Sequence, residues 1–418
     1  MRESPYPMIP VEEALARVLA NVSPLQAIER RFDEAQGWVL AEDITAADPL
    51  PPFPAATVDG FAVVATDGAA EREVVGEQFA GYDAELRVQP GQAARITTGA
   101  PVPEGADAVM MIEWSREENG RIRFTRSVNP GDFIRPVGSD IEQGQVILTR
   151  GSRLGAPEIG LLATVGATTV RVHKRPVVGV MSTGDELVEP NQQPGAGQIR
   201  DSNRFSLMAA VRAAGAEAFD LGIAPDTYDK LLTFVEGGLE RCDALLTSGG
   251  VSMGELDLVK PLLEELGIVH FGRVNTKPGK PVTFGTLTDK PFFAMPGNPV
   301  SSLVSFEVFV RPALRKMMGF PEGGWFRPRV PTTLEHHTRH TADRTEFQRA
   351  ILRFDPSESR FYARTTGSQQ SSRLLSMVGA NALIVLPQGK ADFEAGEEVE
   401  ALVVGDIEVR PEGTSTTT

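Results

Sequence analysis

Acidic side chains follow several segments whose pattern is that of buried strands. Asp185 and Glu186 follow the apolar run 176–181, Asp226 precedes a helical pattern, and Asp257 follows a glycine-rich loop. Strand ends of a parallel sheet meet at one edge, where ligands bind, and carboxylates there suit Mg²⁺. Helix capping explains Asp226 and Asp257 equally well one at a time, at about 1 kcal/mol each.

Two loops expose backbone N–H groups at the same edge. After a strand at 244–246 comes TSGGVSMGELD, and PGNP precedes a helix over 299–318. Glycine loops that open onto helix N-termini suit anions, although an ordinary strand-to-helix turn also needs glycine. The candidate substrate-binding residues are Ser248, Gly249, Gly250, Ser252, Pro296, Gly297, Asn298 and Pro299.

The helix after the first loop has two possible starts. Ser252 and Glu255 form a potential capping box, but a helix from there would place Pro261 in its interior. With Asp257 as the N-cap, Pro261 falls in the first turn, where its missing N–H costs little, so we predict that start.

Two cations lie in one rigid turn, Lys277-Pro-Gly-Lys280, just before a predicted strand. Capping explains the acids singly but does not explain why lysines and glycine loops accompany them. Acids, cations and open N–H groups at one edge therefore predict a phosphate-bearing ligand with Mg²⁺.

Composition limits the other classes. The chain has 418 residues and a net charge of −15, which favours several domains and disfavours sequence-independent nucleic-acid binding. Cys242, predicted to be core, is the single cysteine, and no long apolar segment occurs, so we expect a cytoplasmic protein without an intrachain disulfide. The histidines at 336, 337 and 340 are predicted to lie at the surface, and no serine nucleophile is supported.

Periodicity predicts a multidomain α/β plus β protein. Helices are expected over 11–20, 32–41 and 156–165, and a helix capped by Asp226 runs to about residue 239. We predict a discontinuous helical linker domain at 1–46 and 141–175, an inserted small β domain at 47–140, a doubly wound, mostly parallel α/β domain at 176–326, a barrel-like β domain at 327–411 and a disordered tail at 412–418.

Six segments, in order, carry a resemblance to a known family: VDGFAV, RITTGAPVPEGADAV, STGDEL, TSGGVSMGELD, TKPGKP and MPGNPVSS. Together they resemble the molybdopterin molybdenumtransferase family, which is similar to the C-terminal domain of gephyrin. The resemblance implies a homodimeric enzyme that inserts molybdate into adenylylated molybdopterin with Mg²⁺ and releases AMP. It also implies an α/β domain that binds molybdopterin, and possible contacts with other cofactor-synthesis proteins and acceptor apoenzymes.

The resemblance also implies roles for residues. Asp59 and Thr98 would reach the partner's active site, and Glu186, Asp226 and Asp257 would hold metal and substrate. An oxyanion pocket for molybdate would be formed by Lys277, Lys280, Arg349, Ser371 and Ser372. Two alternatives stay open, a molybdopterin adenylyltransferase-like or other nucleotide-acting enzyme built on the same sheet, and a non-enzymatic scaffold.

Overall fold

The structure is a computed structural model that describes residues 6–82, 84–119, 121–250 and 258–409. Its chain divides into two compact units, one taken from residues 1–41, 151–155 and 170–418 and the other from 42–150 and 156–169. Within the described residues no helix is long and apolar enough to cross a membrane.

The elements are numbered in chain order. The helices are α1 Val11–Ala20, α2 Ala156–Thr164, α3 Asn203–Ala214, α4 Tyr228–Arg241, α5 Val259–Leu266, α6 Pro299–Ser305 and α7 Arg311–Met317. The first strands are β1 Ala27–Arg31, β2 Ile44–Thr45, β3 Ala55–Ala56, β4 Gly60–Val63, β5 Arg72–Gln78, β6 Gln92–Ile96, β7 Ala108–Met111, β8 Ser115–Glu118, β9 Arg121–Phe124, β10 Ile134–Arg135, β11 Val146–Leu148 and β12 Thr169–His173. The others are β13 Val177–Thr183, β14 Leu187–Val188, β15 Ile199–Arg200, β16 Glu217–Ala224, β17 Ala244–Ser248, β18 Gly267–Phe271, β19 Thr276–Lys277, β20 Thr283–Leu287, β21 Lys290–Met295, β22 Arg329–Leu334, β23 Thr345–Asp355, β24 Arg360–Thr365, β25 Ala382–Leu386, β26 Glu398–Val403 and β27 Glu408–Val409.

A six-stranded sheet in the order β16-β13-β17-β21-β20-β18 forms the centre of the first unit. Strands β16, β13, β17 and β21 are parallel, and β20 is antiparallel to both of its neighbours. Alternate side chains of β17 enter two different cores, with Leu246 packing alongside α1 and α3 and Leu245 alongside α4 and α5. Helices therefore cover both faces, and the predicted doubly wound, mostly parallel sheet is confirmed.

Helix α5 begins one residue later than expected. Its N-cap is Leu258, whereas Asp257, the predicted cap, lies outside the described residues. Pro261 is the third helical residue, in the first turn as predicted, where its missing N–H leaves no hydrogen bond unmade.

The predicted helix over 299–318 is present with an interruption. Phe306–Val310 is a π-helical turn between α6 and α7, and Pro312 follows it as the second residue of α7. Proline has no N–H to donate and crowds the preceding carbonyl groups, so the expected kink takes the form of a widened turn before it.

The prediction of a second helix over 32–41 is wrong. Only Phe32–Glu34 is helical, as a short 3-10 turn, and Gly37 then adopts φ of +80°. Val39 and Leu40 instead form bridges to Arg153 and Val172. A left-handed glycine in mid-segment stops the helix, and the apolar run after it pairs as an extended chain.

The C-terminal part of the first unit is a closed barrel. Strand β23 pairs with both β24 and β25, and β24-β22-β26-β25 completes the ring, while β19 and β27 add to β23. Ala350, Leu352 and Ile384 are among the residues that fill its core. The barrel-like C-terminal fold is thus confirmed, and the added strand β19 joins it to the KPGK turn.

The second unit has its own six-stranded sheet, in the order β7-β4-β6-β5-β9-β8. Its two faces are packed by separate apolar clusters, one around Phe61 and Met110 and the other around Ala62 and Ile96. Pairs β2 with β11 and β3 with β10 extend the unit beyond this sheet. This is the small β fold that the sequence predicted.

Candidate functional site

The loops after the parallel strands bring three acids to one edge of the central sheet. Asp185 and Glu186 follow β13, and Asp226 follows β16. The backbone N–H of Asp226 donates to Oδ1 of Asp185 at 3.2 Å. Burial raises the pKa of the Asp226 carboxyl, and the charges of Asp185 and Glu186 raise it further. Three carboxylates therefore share one electrostatic environment.

Asp226 is not a helix cap. The N-cap of α4 is Thr227, one residue after the predicted cap, and α4 ends at Arg241, two residues beyond the predicted end near 239. The capping explanation of this acid therefore fails, and its carboxylate stays available beside Asp185 and Glu186.

The acid group fits a divalent ion only in part. Among the described residues no cluster of three or more His, Cys, Asp or Glu side chains is arranged to hold a metal. Mg²⁺, however, is commonly held by one or two carboxylates with substrate phosphates supplying other oxygens. Burial first, and then the charges of Asp185 and Glu186, disfavour the Asp226 anion, and a cation would relieve this, so Glu186 and Asp226 are the described carboxylates that would hold it. Asp257, the third predicted ligand, lies outside the described residues.

The two candidate substrate-binding loops lie against each other at the same edge. Gly249 has φ of +95°, and a Cβ there would lie 2.5 Å from the backbone oxygen of Thr183. Its N–H donates to the carbonyl of Met295, and its Cα lies 3.9 Å from where a Cβ on Gly297 would be. Gly250 also has positive φ, of +67°. Close backbone approach thus requires glycine at 249, and positive φ favours it at 250, while Ser252 lies outside the described residues.

Asn203, which sequence reasoning missed, ties these loops together. Its Nδ2 donates to Oγ of Ser248 and to the carbonyl of Gly297, both at 2.7 Å. Its Oδ1 and the Oγ1 of Thr183 are buried without a hydrogen-bond partner in the part of the chain that the structure describes. Buried orphan polar atoms are costly, so this edge is suited to a ligand that supplies partners. A polar residue at the start of a helix was the available signal.

A cavity of about 620 Å³ lies between the KPGK turn, the start of α6 and the barrel. Its walls hold the predicted Lys277, Lys280, Ser371 and Ser372, together with Asn298. The N–H of Val300 donates to the carbonyl of Ser371 at 3.1 Å, which fixes the barrel loop against α6. Residues from two parts of the chain that are about ninety positions apart in sequence therefore share one pocket.

The cavity wall is cationic. Lys277, Lys280 and Arg344 line it, and its described lining residues include no carboxylate. Arg344 donates to the neighbouring Asp343, and Lys277 pairs with Glu346 behind the wall. Lys280 has no ion-pair partner among residues the structure describes. Hydroxyl and amide groups complete the lining, so the cavity suits a small oxyanion.

The structure does not bring Arg349 to the surface of this cavity. Its side chain is fully buried, and burial lowers the pKa of its guanidinium to about 10. It donates to Oγ of Ser376 and, from Nη2, to the carbonyls of Ser368 and Gln370. The first half of β23 is buried on both faces, which the sequence pattern did not reveal. Arg349 thus holds the loop that carries Gln369, Gln370 and the two serines.

The prediction that the histidine cluster lies at the surface is wrong for His340. Its side chain is buried, and it contacts Glu346 through Nδ1 at 3.0 Å. His336 is half-buried and bonds Oγ1 of Thr365. Cys242 is buried as predicted, and burial raises the pKa of its thiol.

Asp59 and Thr98 meet on an exposed turn of the second unit. The N–H and the hydroxyl of Thr98 donate to Oδ1 of Asp59 at 2.7 and 2.8 Å. These two bonds hold the pKa of the Asp59 carboxyl below its ordinary value. A Cβ on Gly60 would lie 1.8 Å from the carbonyl oxygen of Met110, so only glycine fits between this turn and β7.

Comparison with known families matches the chain along most of its length. Residues 9–166 match the MoeA N-terminal region (domain I and II), 179–316 a probable molybdopterin binding domain, and 333–404 the MoeA C-terminal region (domain IV). The chain is 34% identical to molybdopterin molybdenumtransferase of Haemophilus influenzae, over 94% of this chain and 98% of that protein. It belongs to the molybdopterin molybdenumtransferase family.

Two further relatives extend the comparison. Gephyrin of Dictyostelium discoideum is 38% identical over 97% of this chain, which spans 64% of that longer protein. The crystal structure of the molybdopterin biosynthesis MoeA protein from Pyrococcus horikoshii superposes with a TM-score of 0.83 at 32% identity, covering 96% of this chain and all of that one. The resemblance and the multidomain fold expected from the sequence are therefore confirmed.

Proposed function

We propose that this member of the family inserts molybdenum from molybdate into adenylylated molybdopterin, using Mg²⁺ and releasing AMP, as the last step of molybdenum cofactor synthesis. Relatives that match over nearly their whole length are named molybdopterin molybdenumtransferase. The observation that carries the proposal is the cation-lined cavity next to Asn298, at the end of the loop that approaches Gly249.

The chemistry proposed for the cavity is electrostatic. Molybdate is a dianion, and the dithiolene and phosphates of the pterin are also negative, so bringing them together costs repulsion. Lys277, Lys280 and Arg344 lie on one wall and offset that repulsion from fixed positions. Ser371 and Ser372 can donate hydroxyl hydrogens to the same oxyanion. Arg349 acts behind them as a positioning residue.

The pterin and its phosphates are proposed to occupy the strand-end loops. Gly249 and Gly250 let the backbone approach a ligand closely, and Ser248 is held by Asn203. Glu186 and Asp226, with Asp257, are the residues that would hold Mg²⁺. That ion would supply positive charge to the substrate phosphates at the cleaved bond.

Asp59 and Thr98 are proposed to complete the active site of a partner subunit in a homodimer. Both side chains are exposed, and their hydrogen bonds use Oδ1 of Asp59, so Oδ2 has no hydrogen bond from the described part of the chain. Sedimentation showing a monomer at micromolar concentration would contradict the dimer. A cytoplasmic location is proposed because the chain has a single cysteine, which is buried and has no second cysteine with which to form an intrachain disulfide.

The direct test is AMP release from adenylylated molybdopterin in the presence of molybdate and Mg²⁺. Lys280→Ala should raise the half-saturating molybdate concentration roughly ten- to a hundredfold, the cost of about 1.5 to 3 kcal/mol for one charge-assisted contact. Its affinity for the pterin should change little, because the cavity rather than the strand-end loops loses a charge.

Lys174→Ala is the matched control. Lys174 pairs with Asp243 at 3.1 Å, before the start of β17 and hence at the opposite edge of the sheet. Partly exposed pairs contribute little, so this variant should titrate with molybdate as the wild type does. If Lys280→Ala weakens pterin binding while its molybdate requirement is unchanged, the lysines belong to the phosphate site and the cavity assignment is wrong.

A further inference from the structure

The ion pair between Lys277 and Glu346 conflicts with the proposed role of Lys277 in binding an anion. Lys277 and Glu346 are register partners on β19 and β23, and Nζ lies 3.1 Å from Oε1. The Lys277 side chain is 43% exposed, whereas that of Glu346 is only 2% exposed. A buried carboxylate this close would cancel the lysine charge that an oxyanion needs.

His340 changes this balance. Its side chain is completely buried, with Nδ1 3.0 Å from Oε2 of Glu346 and Nε2 3.2 Å from the carbonyl oxygen of Pro387. Both partners of the ring are acceptors when Glu346 is ionised, and a neutral imidazole has only one N–H to donate. The two bonds are satisfied together by an imidazolium beside a carboxylate, or by a neutral ring beside a protonated Glu346. In either form the pair shares one proton and has no net charge.

We infer that His340 is the counter-ion of Glu346 and thereby leaves the positive charge of Lys277 for the oxyanion in the cavity. The inference rests on the proposed function and makes His340 a positioning residue for it. Lys277, Glu346 and His340 together carry one net positive charge while the shared proton is present. Without His340 beside Glu346, Lys277 and Glu346 would be neutral together, and the cavity would bind an anion less tightly.

Other charges around His340 do not replace Glu346. From the 387–393 segment, Oδ1 of Asp392 accepts the backbone N–H of His340 at 2.8 Å rather than a ring hydrogen. Lys390 of the same segment lies over the ring of Phe393 and pairs with Glu397. From β23 and β19, the charged groups are Glu346, Lys277 beyond it, and the buried Arg349, which interacts with the charge of Glu346 but donates its hydrogen bonds to Ser376, Ser368 and Gln370.

The test is molybdate binding to the purified full-length protein by calorimetry, with no pterin present. His340→Gln should weaken molybdate binding about tenfold, as expected when one charge-assisted contact is lost. Glu346→Gln should bind about as the wild type does, because it removes the carboxylate that needs a counter-ion. The double variant should regain most of the lost affinity for the same reason. His336→Gln, in the same segment but bonded to Thr365, is the control and should be unchanged.

A packing role for His340 gives a different pattern, because a second buried substitution would then add to the damage. Unchanged binding in His340→Gln, or a double variant as weak as His340→Gln, overturns the inference. If His340→Gln does not fold, Glu346→Gln alone decides: binding as in the wild type supports the inference, and clearly tighter binding overturns it, because the carboxylate would then already cancel the Lys277 charge in the wild type. A folded wild type that binds no molybdate refutes the oxyanion assignment itself, which separates that failure from the failure of the His340 role.

Discussion

Two regions of this protein hold an aspartate at a loop, and their surroundings act on its charge in opposite directions. Asp226, after β16, is partly buried beside Asp185 and Glu186, and burial followed by their charges raises the pKa of its carboxyl. Asp59, on the turn before β4, accepts two hydrogen bonds from Thr98, which lower the pKa of its carboxyl.

This difference distinguishes an acid that stabilises a turn from an acid that is suited to binding a cation. The Asp59 anion already has its donors, so it is stable as it stands and is fixed in direction. The Asp226 anion has neighbours that repel it and no capping role. An acid in the surroundings of Asp226 is therefore a candidate for metal or substrate binding. Asp59, in contrast, is a hydrogen-bond acceptor held in a fixed orientation.

The largest expected effect comes from Asp226→Asn. Loss of a carboxylate that supports Mg²⁺ and the substrate phosphates should slow AMP release about a hundredfold, as when one strong electrostatic contact to a transition state is removed. The midpoint of thermal unfolding should stay or rise, because the folded protein no longer holds a repelled charge. Single-turnover AMP release and a thermal melt of the same sample measure both.

Asp229→Asn is the control for that variant. Asp229 is an exposed acid two residues beyond Thr227, in the first turn of α4. It should change neither turnover nor the melt appreciably. Near-normal turnover in Asp226→Asn would contradict a metal- or substrate-binding role for Asp226 and leave it, like Asp59, with a structural role.

Much of the fold was predictable because it depends on local pattern. The alternation of strands and helices between 176 and 318 gave the doubly wound sheet, and Pro261 located the start of α5 to within one residue. The helix expected over 32–41 failed because one left-handed glycine, Gly37, outweighs an amphipathic pattern. Sequence periodicity has no means of weighing that backbone preference.

The sequence predicted which loops form the candidate site, but not which of its side chains are buried. Lys277, Lys280, Ser371 and Ser372 do share a cavity, as the resemblance implied. The burial of His340 and Arg349 was not predicted, because β23, which carries Arg349 and the His340 partner Glu346, is covered in its first half on both faces by pairings distant in sequence. Charged residues on such a strand resemble surface residues in sequence, since their partners come from other strands.

A smaller effect is expected from Gly60→Ala, which tests how rigidly the Asp59 turn is held. The added Cβ would meet the carbonyl oxygen of Met110, a backbone atom of the paired strand β7, at 1.8 Å. The strands must separate to admit it, which should cost about 1 to 3 kcal/mol of stability. Chemical denaturation measures this cost, and Gly81→Ala does not serve as its control because Gly81 has positive φ.

Gly237→Ala is the better control. A Cβ there meets no atom within 4 Å, and the residue lies inside α4, where alanine is the stronger helix former. It should be neutral or stabilising. A Gly60→Ala protein as stable as the wild type would show that the turn adapts, and Asp59 would then no longer count as a rigidly placed acceptor.

The smallest expected effect is on the pH dependence of stability, which should differ between Asp59 and Asp226. The carboxyl of Asp59 has a folded pKa below its ordinary value of 3.8, so its hydrogen bonds stabilise the protein above that pH. This contribution is lost as pH falls through the lower, folded pKa. Thr98→Val removes the hydroxyl donor and keeps the backbone donor, so it should lower the unfolding midpoint slightly at neutral pH. The difference from the wild type should shrink as the solution is acidified below about pH 4.

Thr125→Val is the control for Thr98→Val. Thr125 is an exposed threonine of the same unit whose hydroxyl donates to the carbonyl of Trp114 at 3.1 Å. A carbonyl does not titrate, so the cost of losing that bond should not depend on pH in this way.

Asp226→Asn should change stability in the opposite direction, because a raised folded pKa makes the ionised carboxyl unfavourable. Its gain over the wild type should be absent in acid and should grow as pH rises from about 4 through the folded pKa of Asp226. Parallel pH profiles for the Thr98 and Asp226 variants would contradict the opposed electrostatics of the two regions.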